Sequence, residues 1–306
     1  MNKNSFRECK RDYKNCMDKN NNCPFLGKDG NLVQCVGVWS KHKYDYLERY
    51  LKTSERVRNK FYTKGNAVFI DLFSGPGKSV IRFRDEELNS SSLIAGNLQK
   101  YPFNNYYFVD ISTNNCESLK YRLKDLKNSN IILGDSNKKI NEIILNFEKK
   151  KELFKYFFIF IDPFSPEAFK FSTIGTLIKV KKHLDIMMHF PIGAIRRNFN
   201  FWLNNNSAVL DDFLGTDKWK FYAKKSNNIF EIVYSTFVEQ LKKLGFPEEG
   251  LGLISNDGYW EPTLANIINR KNVVLYQLII ISKNSLAQKM WKGIIKKDSD
   301  GKTKLF

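Results

Sequence analysis

The sequence predicts an α/β fold in which helices cover both faces of a doubly wound, mostly parallel sheet. Short, almost wholly apolar runs alternate with segments whose apolar residues recur at helical spacing. Several of these runs end at Asp, Gly or Pro, which is typical of strands that are buried on both faces of a parallel sheet. Because each crossover must be right-handed and must cover a sheet face, regular alternation favours a doubly wound sheet.

The predicted elements begin with a helix of about five turns from Ser40, followed by a buried strand at Ala67 to Phe73. A charged, then serine-rich loop is expected at Lys78 to Ser92, with a helix at Leu93 to Gln99. The alternation then continues with strands Tyr106 to Asp110, Asn130 to Leu133, Tyr156 to Asp162 and Leu184 to Phe190, and with helices Asn114 to Leu126, Asn137 to Lys149 and Ser172 to Lys181.

The last part of the chain departs from this alternation. A mostly helical insertion is expected around residues 192–245. Two late strands, near Leu264 to Asn269 and Val273 to Ser282, are separated by only three residues and predict an antiparallel hairpin. Residues 1–38 are interpreted as a separate, irregular segment that contains cysteines, residues 39–295 as the main domain, and residues 296–306 as a basic tail.

Composition limits the kind of partner. The 306 residues include 50 Lys and Arg against 32 Asp and Glu, a formal net charge of +18. Such a charge favours an anionic partner, nucleic acid first, because fixed positive potential raises its local concentration. The abundance of Lys, Asn, Ile and Phe also fits an AT-rich genome, which would raise the Lys content without any such partner. Both interpretations stay open at this point.

The chain contains no run of roughly 18 apolar residues and no apolar segment after Met1, so we expect a cytoplasmic protein without a membrane span. Disulfides are rare in that compartment. The N-terminal cysteines lack the C-x2-C spacing of recognisable zinc sites. A zinc or iron–sulfur site and unliganded thiols therefore both stay open for Cys9, Cys16, Cys23 and Cys35.

A glycine loop follows the first predicted strand, in the pattern Asp71-x-Phe73-x-Gly75-x-Gly77. The glycines allow a tight turn and close approach of the backbone to a nucleotide-like ligand. A dinucleotide site would need a third glycine where Val80 stands, so that class is disfavoured. The alternative is a purely structural glycine turn.

Two more acidic residues follow the next strands. Asp110 is placed to accept both ribose hydroxyls of a nucleoside, and Asp135 to meet an adenine amino group. Each aspartate is alternatively the cap of the following helix. With the loop at Asp71, this set indicates S-adenosylmethionine as the cofactor.

The fourth strand of the alternation ends in Asp162-Pro163-Phe164. Enzymes that methylate exocyclic amines hold the target nitrogen with an acidic or amide group and a backbone carbonyl, while an aromatic ring stacks on the base. Arg196 and Arg197 follow the fifth strand and are candidates to clamp a phosphate or carboxylate. The alternatives are an ordinary turn and a solvated helix surface.

The chain resembles the three-Cys-motif partner family (TcmP) of prokaryotic methyltransferase-like proteins over roughly residues 39–295. The matching blocks, in order, are WSKHKYDYLERYL, FIDLFSGPGKS, SSSLIAG, FIDPF, HFPIGAIRRN, LDDFLGTDKW and LYQLIIISKNSLAQKMW. The resemblance implies a class I methyltransferase fold with seven strands. It also implies a cofactor site on Asp71, Phe73, Gly75, Gly77 and Asp110.

The resemblance also has implications for the helix that covers the cofactor, for the catalytic segment and for the partner protein. The helix with Lys41 and His42 is expected to cover the methionine end of the cofactor. The segment Asp162 to Phe164 is similar to the amino-methyltransferase motif, with one proline where many such enzymes have two. The partner implied is a neighbour protein with a three-cysteine motif, similar to radical-SAM enzymes.

The leading hypothesis is therefore an S-adenosylmethionine-dependent methyltransferase that acts on an exocyclic amine of nucleic acid. One alternative is a non-catalytic or partner-dependent subunit that works with the radical-SAM-like neighbour. Another is a methyltransferase of a peptide or small molecule, in which case the basic surface reflects genome composition.

Overall fold

A computed structural model describes residues 25–82, 84, 86–98, 100–149, 155–180, 183–247, 264–269 and 272–297. The chain divides into two compact units, Met1–Ser136 and Asn137–Phe306. Together they contain a seven-stranded, mostly parallel sheet of the Rossmann-like class, as predicted. Among the described residues, no helix combines the length and apolar content that crossing a membrane requires.

The elements of the first unit run from β1 to β6. They are β1 Gln34–Val36, α1 Ser40–Thr53, α2 Glu55–Tyr62, β2 Ala67–Asp71, β3 Lys78–Ile81, β4 Glu87–Asn89, α3 Ser91–Gly96, β5 Asn105–Asp110, α4 Thr113–Arg122 and β6 Ser129–Leu133. Strands β6, β5 and β2 are adjacent in that order and parallel, with Asp71 paired to Phe108 and Asp110 to Leu133. The acidic ends of β2 and β5 therefore lie at the same edge.

The second unit begins within α5, which starts at Ser136. Its elements are α5 Ser136–Lys149, β7 Tyr156–Ile161, α6 Ser172–Leu177, β8 His183–Phe190, α7 Ile192–Asn204, α8 Val209–Leu214, α9 Trp219–Ala223, α10 Ile229–Lys243, β9 Leu264–Ile268, β10 Val274–Ser282 and α11 Ser285–Ile295. Strands β7 and β8 are parallel, and β10 pairs antiparallel with both β8 and β9. The predicted terminal hairpin and the mostly helical insertion are confirmed.

The predicted strands β2 and β7 are the most apolar and the most deeply placed. Every residue of both strands is buried. Continuous burial is expected for central strands with helices on both faces, and it explains why their sequences do not alternate between apolar and polar residues.

Three expectations about local structure were wrong. The single helix from Ser40 is two helices, because the chain bends at Ser54, whose hydroxyl donates to Leu51 O at 3.3 Å. The loop expected from Lys78 contains the hairpin β3–β4. The irregular segment expected over residues 1–38 includes β1, which pairs in parallel with β3 through Cys35 and Val80.

This small sheet, in the order β1-β3-β4, has its own apolar contacts. Phe25, Val33 and Val80 form a buried cluster, and half-buried Cys35 packs against it. Residues 25–36 are thus joined to the chain that follows the glycine loop, although no apolar period in the sequence predicted it.

Candidate functional site

The glycine loop is shaped by Asp71 and by two backbone conformations. Asp71 is fully buried, and its Oδ1 accepts from the backbone N–H of Phe73 at 3.2 Å. Gly75 and Gly77 have φ of 59° and 91°, a region that side chains disfavour. A Cβ on Gly77 would lie 2.9 Å from Leu119 Cδ1, whereas one on Gly75 would lie 3.5 Å from its nearest neighbour. Gly77 is therefore favoured by its turn, and a side chain there would also displace Leu119.

Three strand ends of the first unit meet at this loop. Ser74 N–H donates to Val109 O at 2.9 Å, and Gly75 N–H donates to Asp110 Oδ2 at 2.8 Å. Gly134 N–H donates to Asp110 O at 2.9 Å, and the Ser136 hydroxyl donates to Leu72 O. The structure thus brings the predicted residues Asp71, Gly75 and Asp110 together with the turn that precedes α5 and contains Asp135.

The carboxylate of Asp110 is half-buried and already has several donors. Its Oδ1 accepts from Ser112 N–H at 2.9 Å and from Asn115 Nδ2 at 3.0 Å, while Oδ2 accepts from Gly75 N–H. An ionised carboxylate has about four acceptor positions, so these bonds leave room for one further donor at Oδ2. Both ribose hydroxyls were expected here; the second requires that the Asn115 amide turn away.

The other predicted cofactor residues differ in their exposure to solvent. Phe73 and Asp135 are half-buried, and His42 is exposed on α1. The Lys41 ammonium contacts Glu86 at 2.5 Å, and Lys41 also lines a groove of about 780 Å³ beside α1, β4 and α3. The residues that line this groove do not include the loop from Asp71 to Gly77. The role of α1 as a cover for the cofactor stays a prediction.

One residue that the sequence did not indicate ties the loop to the N-terminal segment. The Arg122 side chain is 3% exposed, and it binds both oxygens of Asp29 at 2.8 Å. The same guanidinium donates to Leu32 O at 2.5 Å, to Pro76 O at 2.6 Å and to Asn31 O at 3.2 Å. Such a planar fork satisfies several oxygens at once. Arg122 therefore fixes Pro76, within the glycine loop, to the turn at Asp29.

Asp29 is charged in this arrangement. Burial alone would raise its pKa, but the hydrogen bonds from Arg122 and from Asn31 N–H, with the charges of Arg122 and Lys78, lower the pKa from 3.8 to about 2. Lys78 Nζ lies 3.7 Å from Asp29 and 3.2 Å from Glu87. The Arg122–Asp29 ion pair is thus maintained at neutral pH.

In the second unit, the predicted catalytic aspartate has a histidine beside it. Asp162 Oδ1 lies 2.9 Å from His189 Nδ1, and the two side chains are 15% and 12% exposed. The register of β7 and β8 pairs Ile161 with Met188, so the next residue on each strand is also a neighbour. No pattern in the sequence indicates this contact, because strand register is not visible in a single sequence.

The neighbours of Asp162 in the chain have contrasting surroundings. Pro163 is buried, whereas Phe164 is 80% exposed. An exposed phenylalanine ring offers a face for stacking on a planar ligand. Arg196 and Arg197 are both exposed on α7. Their predicted roles in binding substrate stay predictions.

The cysteines give no metal centre that the structure describes. Cys9, Cys16 and Cys23 lie outside the described residues, and Cys35 belongs to strand β1. No group of three or more His, Cys, Asp or Glu side chains placed to hold a metal occurs in the described part of the chain. A metal site at these cysteines therefore stays a prediction.

No protein family matches the chain by sequence, and no curated protein matches it. Among solved structures, the chain is similar to an O-methyltransferase from Bacillus cereus in complex with SAH, with 12% identity, a TM-score of 0.37 and coverage of 76% of this chain and 81% of that one. It is also similar to an rRNA methylase from Streptococcus thermophilus, with 13% identity, a TM-score of 0.31 and coverage of 73% and 92%. With identities and TM-scores this low, neither likeness carries an activity over to this chain.

Proposed function

We propose that this protein is an S-adenosylmethionine-dependent methyltransferase whose acceptor is an exocyclic amine of nucleic acid. The observation that carries the proposal is the convergence of the Asp71–Gly77 loop, Asp110 and the Gly134–Asp135 turn at one edge of the first unit. The carboxyl ends of parallel strands are where α/β folds bind nucleotide-like ligands.

The residues at this edge suit the cofactor chemically. Asp110 has acceptor capacity for a ribose hydroxyl, and Asp135 carries a carboxylate for an adenine amino group. Gly75 and Gly77 keep side chains off the loop, so that its backbone is open to close approach. When bound, S-adenosylmethionine supplies an electrophilic methyl group on a sulfonium.

The second unit supplies candidates for the acceptor. We propose that Phe164, with its exposed ring, stacks on a nucleobase, which is worth about 1–3 kcal/mol per base. Arg196 and Arg197 would hold a phosphate of the same strand. The formal charge of +18 supports an anionic partner of this kind, and a cytoplasmic location is part of the proposal.

Methyl transfer from labelled S-adenosylmethionine tests this proposal. Single-stranded DNA, duplex DNA and RNA would each be offered to the full chain, to Asp110→Asn and to Asp125→Asn, an exposed aspartate that serves as the control. We expect label in one nucleic acid with the wild type and with Asp125→Asn, and clearly less label with Asp110→Asn at a subsaturating cofactor concentration. Label in a peptide or small-molecule pool alone would remove nucleic acid as the acceptor.

Salt dependence tests the partner separately from the chemistry. If about six phosphates are neutralised, nucleic-acid affinity should fall about 10³-fold between 50 and 200 mM salt. A flat response would argue that the basic surface reflects composition. Tight cofactor binding without any transfer would instead favour a non-catalytic or partner-dependent subunit.

A further inference from the structure

The side chain of Gln34 borders the space over Gly75. A Cβ built on Gly75 would lie 3.5 Å from Gln34 Oε1 and, among the described residues other than its two chain neighbours, within 4 Å of no further heavy atom. A Cβ on Gly77 would instead lie among three side chains, with Leu119 Cδ1 at 2.9 Å. The loop is therefore packed against protein at Gly77, whereas at Gly75 it faces open space with Gln34 at the border.

Gln34 has an amide that is available to a ligand. The residue is exposed on β1, and in the part of the chain that the structure describes its side chain makes no hydrogen bond. A glutamine amide offers an acceptor oxygen and two N–H donors. These suit a ligand group that carries a cation and an anion side by side.

Arg122 holds β1 close to the glycine loop. Two residues before Gln34, Leu32 O accepts from the Arg122 guanidinium at 2.5 Å. The same guanidinium donates at 2.6 Å to the carbonyl of Pro76, which directly follows Gly75. In addition, β1 pairs in parallel with β3, the strand that begins just after the loop. The contact between Gln34 and Gly75 is thus supported by the backbone on both sides.

The strand order indicates which part of the cofactor would lie at Gln34. Strands β6, β5 and β2 are adjacent in this order. The proposed function places the adenine at Asp135, after β6, and the ribose at Asp110, after β5. Because adenine and the amino-acid chain leave the ribose at opposite ends, the amino-acid end would extend to the loop after β2. That end carries an ammonium and a carboxylate, one partner for each kind of amide atom.

We propose that Gln34 binds the amino-acid end of S-adenosylmethionine. Its amide oxygen accepts from the ammonium of the cofactor, and its amide N–H donates to the carboxylate. Gln34 acts at the site of the proposed function, on which this inference rests, and it belongs to the same unit as the glycine loop. The segment of residues 25–36 thereby gains a role in selecting ligands that carry both charges.

Two thioethers that differ in one substituent test this contact. S-adenosylhomocysteine has the amino-acid end, whereas 5′-methylthioadenosine has a methyl group in its place and the same adenine and ribose. Calorimetric titration of each ligand into the full chain gives the affinities of the wild type and of Gln34→Ala. Competition against S-adenosylhomocysteine replaces direct titration where the heat is small.

The wild type should bind S-adenosylhomocysteine more tightly than 5′-methylthioadenosine. Gln34→Ala should weaken S-adenosylhomocysteine by about 3-fold to 10-fold, the range expected for loss of one hydrogen bond. The affinity for 5′-methylthioadenosine should change by less than about twofold, because that ligand has no group for Gln34 to bind.

Three further variants separate the contact from a general disturbance. Gln34→Glu keeps the length of the side chain but brings a negative charge to the carboxylate of the ligand, so it should weaken S-adenosylhomocysteine at least as much as Gln34→Ala. Asn89→Ala is the matched control, since Asn89 is an exposed polar residue of β4 in the same small sheet, and it should bind both ligands as the wild type does. Asp110→Asn should weaken both ligands, because both contain the ribose.

The outcomes distinguish this inference from the proposed function. If the wild type binds S-adenosylhomocysteine and Gln34→Ala changes that affinity by less than about twofold, the contact is refuted and the proposed function stands. Equal losses for the two ligands in Gln34→Ala, or equal affinities of the wild type for them, would also overturn the contact. If the wild type binds neither S-adenosylmethionine nor S-adenosylhomocysteine, the proposed function itself fails, and the role of Gln34 fails with it.

Discussion

The substitution Asp29→Asn should destabilise the first unit by an amount set by its ion pair with Arg122. Asn keeps the size of the side chain but removes the charge opposite a guanidinium that is only 3% exposed. A pKa lowered from 3.8 to about 2 corresponds to about 2.5 kcal/mol as an upper limit. Because the Asp29 side chain is 20% exposed and water screens the pair, we expect about 1–2 kcal/mol at pH 7.

The stabilisation that Asp29 provides should decrease as the pH falls. The folded-state pKa of Asp29 is depressed, so its stabilisation is complete above pH 3.8 and is lost as the pH falls towards 2. The gap in unfolding free energy between wild type and Asp29→Asn should therefore be constant from pH 7 to 5 and should shrink by about half at pH 3.

Urea denaturation followed by circular dichroism at pH 7, 5 and 3 measures this gap without adding ions that screen it. Asp125→Asn, which removes an exposed carboxylate, is the control and should change the unfolding free energy by less than about 0.5 kcal/mol. A gap below about 0.5 kcal/mol for Asp29→Asn, or a gap that stays constant down to pH 3, would refute the claim that Arg122 fixes the N-terminal turn to the glycine loop.

Three further predictions concern glycines and a thiol. Gly77→Ala should cost about 2–3 kcal/mol, against about 1 kcal/mol for Gly75→Ala, since only the Gly77 substitution adds a 2.9 Å contact to an unfavourable φ; thermal unfolding compares the two. Gly193→Ala should cost at least about 3 kcal/mol, because its Cβ would lie 2.3 Å from a backbone oxygen, whereas Gly293→Ala, in open space on a helix, should stabilise by about 0.5–1 kcal/mol; equal changes would contradict the packing. Cys116, whose pKa burial and the Asp110 charge raise to about 11, should resist iodoacetamide at pH 8 in the native protein and react after unfolding, as mass spectrometry of its peptide will show.

Much of the fold follows from the sequence because its causes are local. Apolar runs such as Ala67 to Asp71 are too short for helices, and they lack the alternation of apolar and polar residues that a strand with one solvent-exposed face would show. The alternation of these runs with helical periods then leaves few topologies. For the same reason the acidic ends of the strands at Asp71 and Asp110 could be predicted to lie at one edge of the sheet, and Asp71 pairs with Phe108 while Gly75 N–H donates to Asp110.

The features that the sequence did not indicate depend on contacts between distant residues. Arg122 looks like a helix-terminal cation in the sequence, and only the fold brings it to Asp29, 93 positions away. No apolar periodicity in the sequence predicts the pairing of β1 with β3, because the residues of β1 are partly exposed. His189 meets Asp162 through strand register, which a one-residue shift would abolish.

The bend at Ser54 has a different cause. The sequence from Ser40 to Val57 keeps its apolar spacing, so it predicts one helix of about five turns. In the fold, Leu51 O in α1 accepts from two side chains, the Ser54 hydroxyl at 3.3 Å and the fully buried Arg58 of α2 at 2.8 Å, and Arg58 also donates to Tyr101 O. A buried arginine with main-chain acceptors is a tertiary interaction, and it overrides the local helix preference.

Calorimetric titration of S-adenosylmethionine into the full chain measures whether the loop at Asp71 holds the cofactor. We expect saturable binding by the wild type and by Asp125→Asn. It also predicts affinity at least about tenfold weaker for Asp110→Asn, which corresponds to about 1.4 kcal/mol. Folding of each variant would be checked by circular dichroism. No heat of binding by folded wild-type protein at millimolar cofactor, or equal affinity in Asp110→Asn, would contradict the assignment of the cofactor to the loop at Asp71.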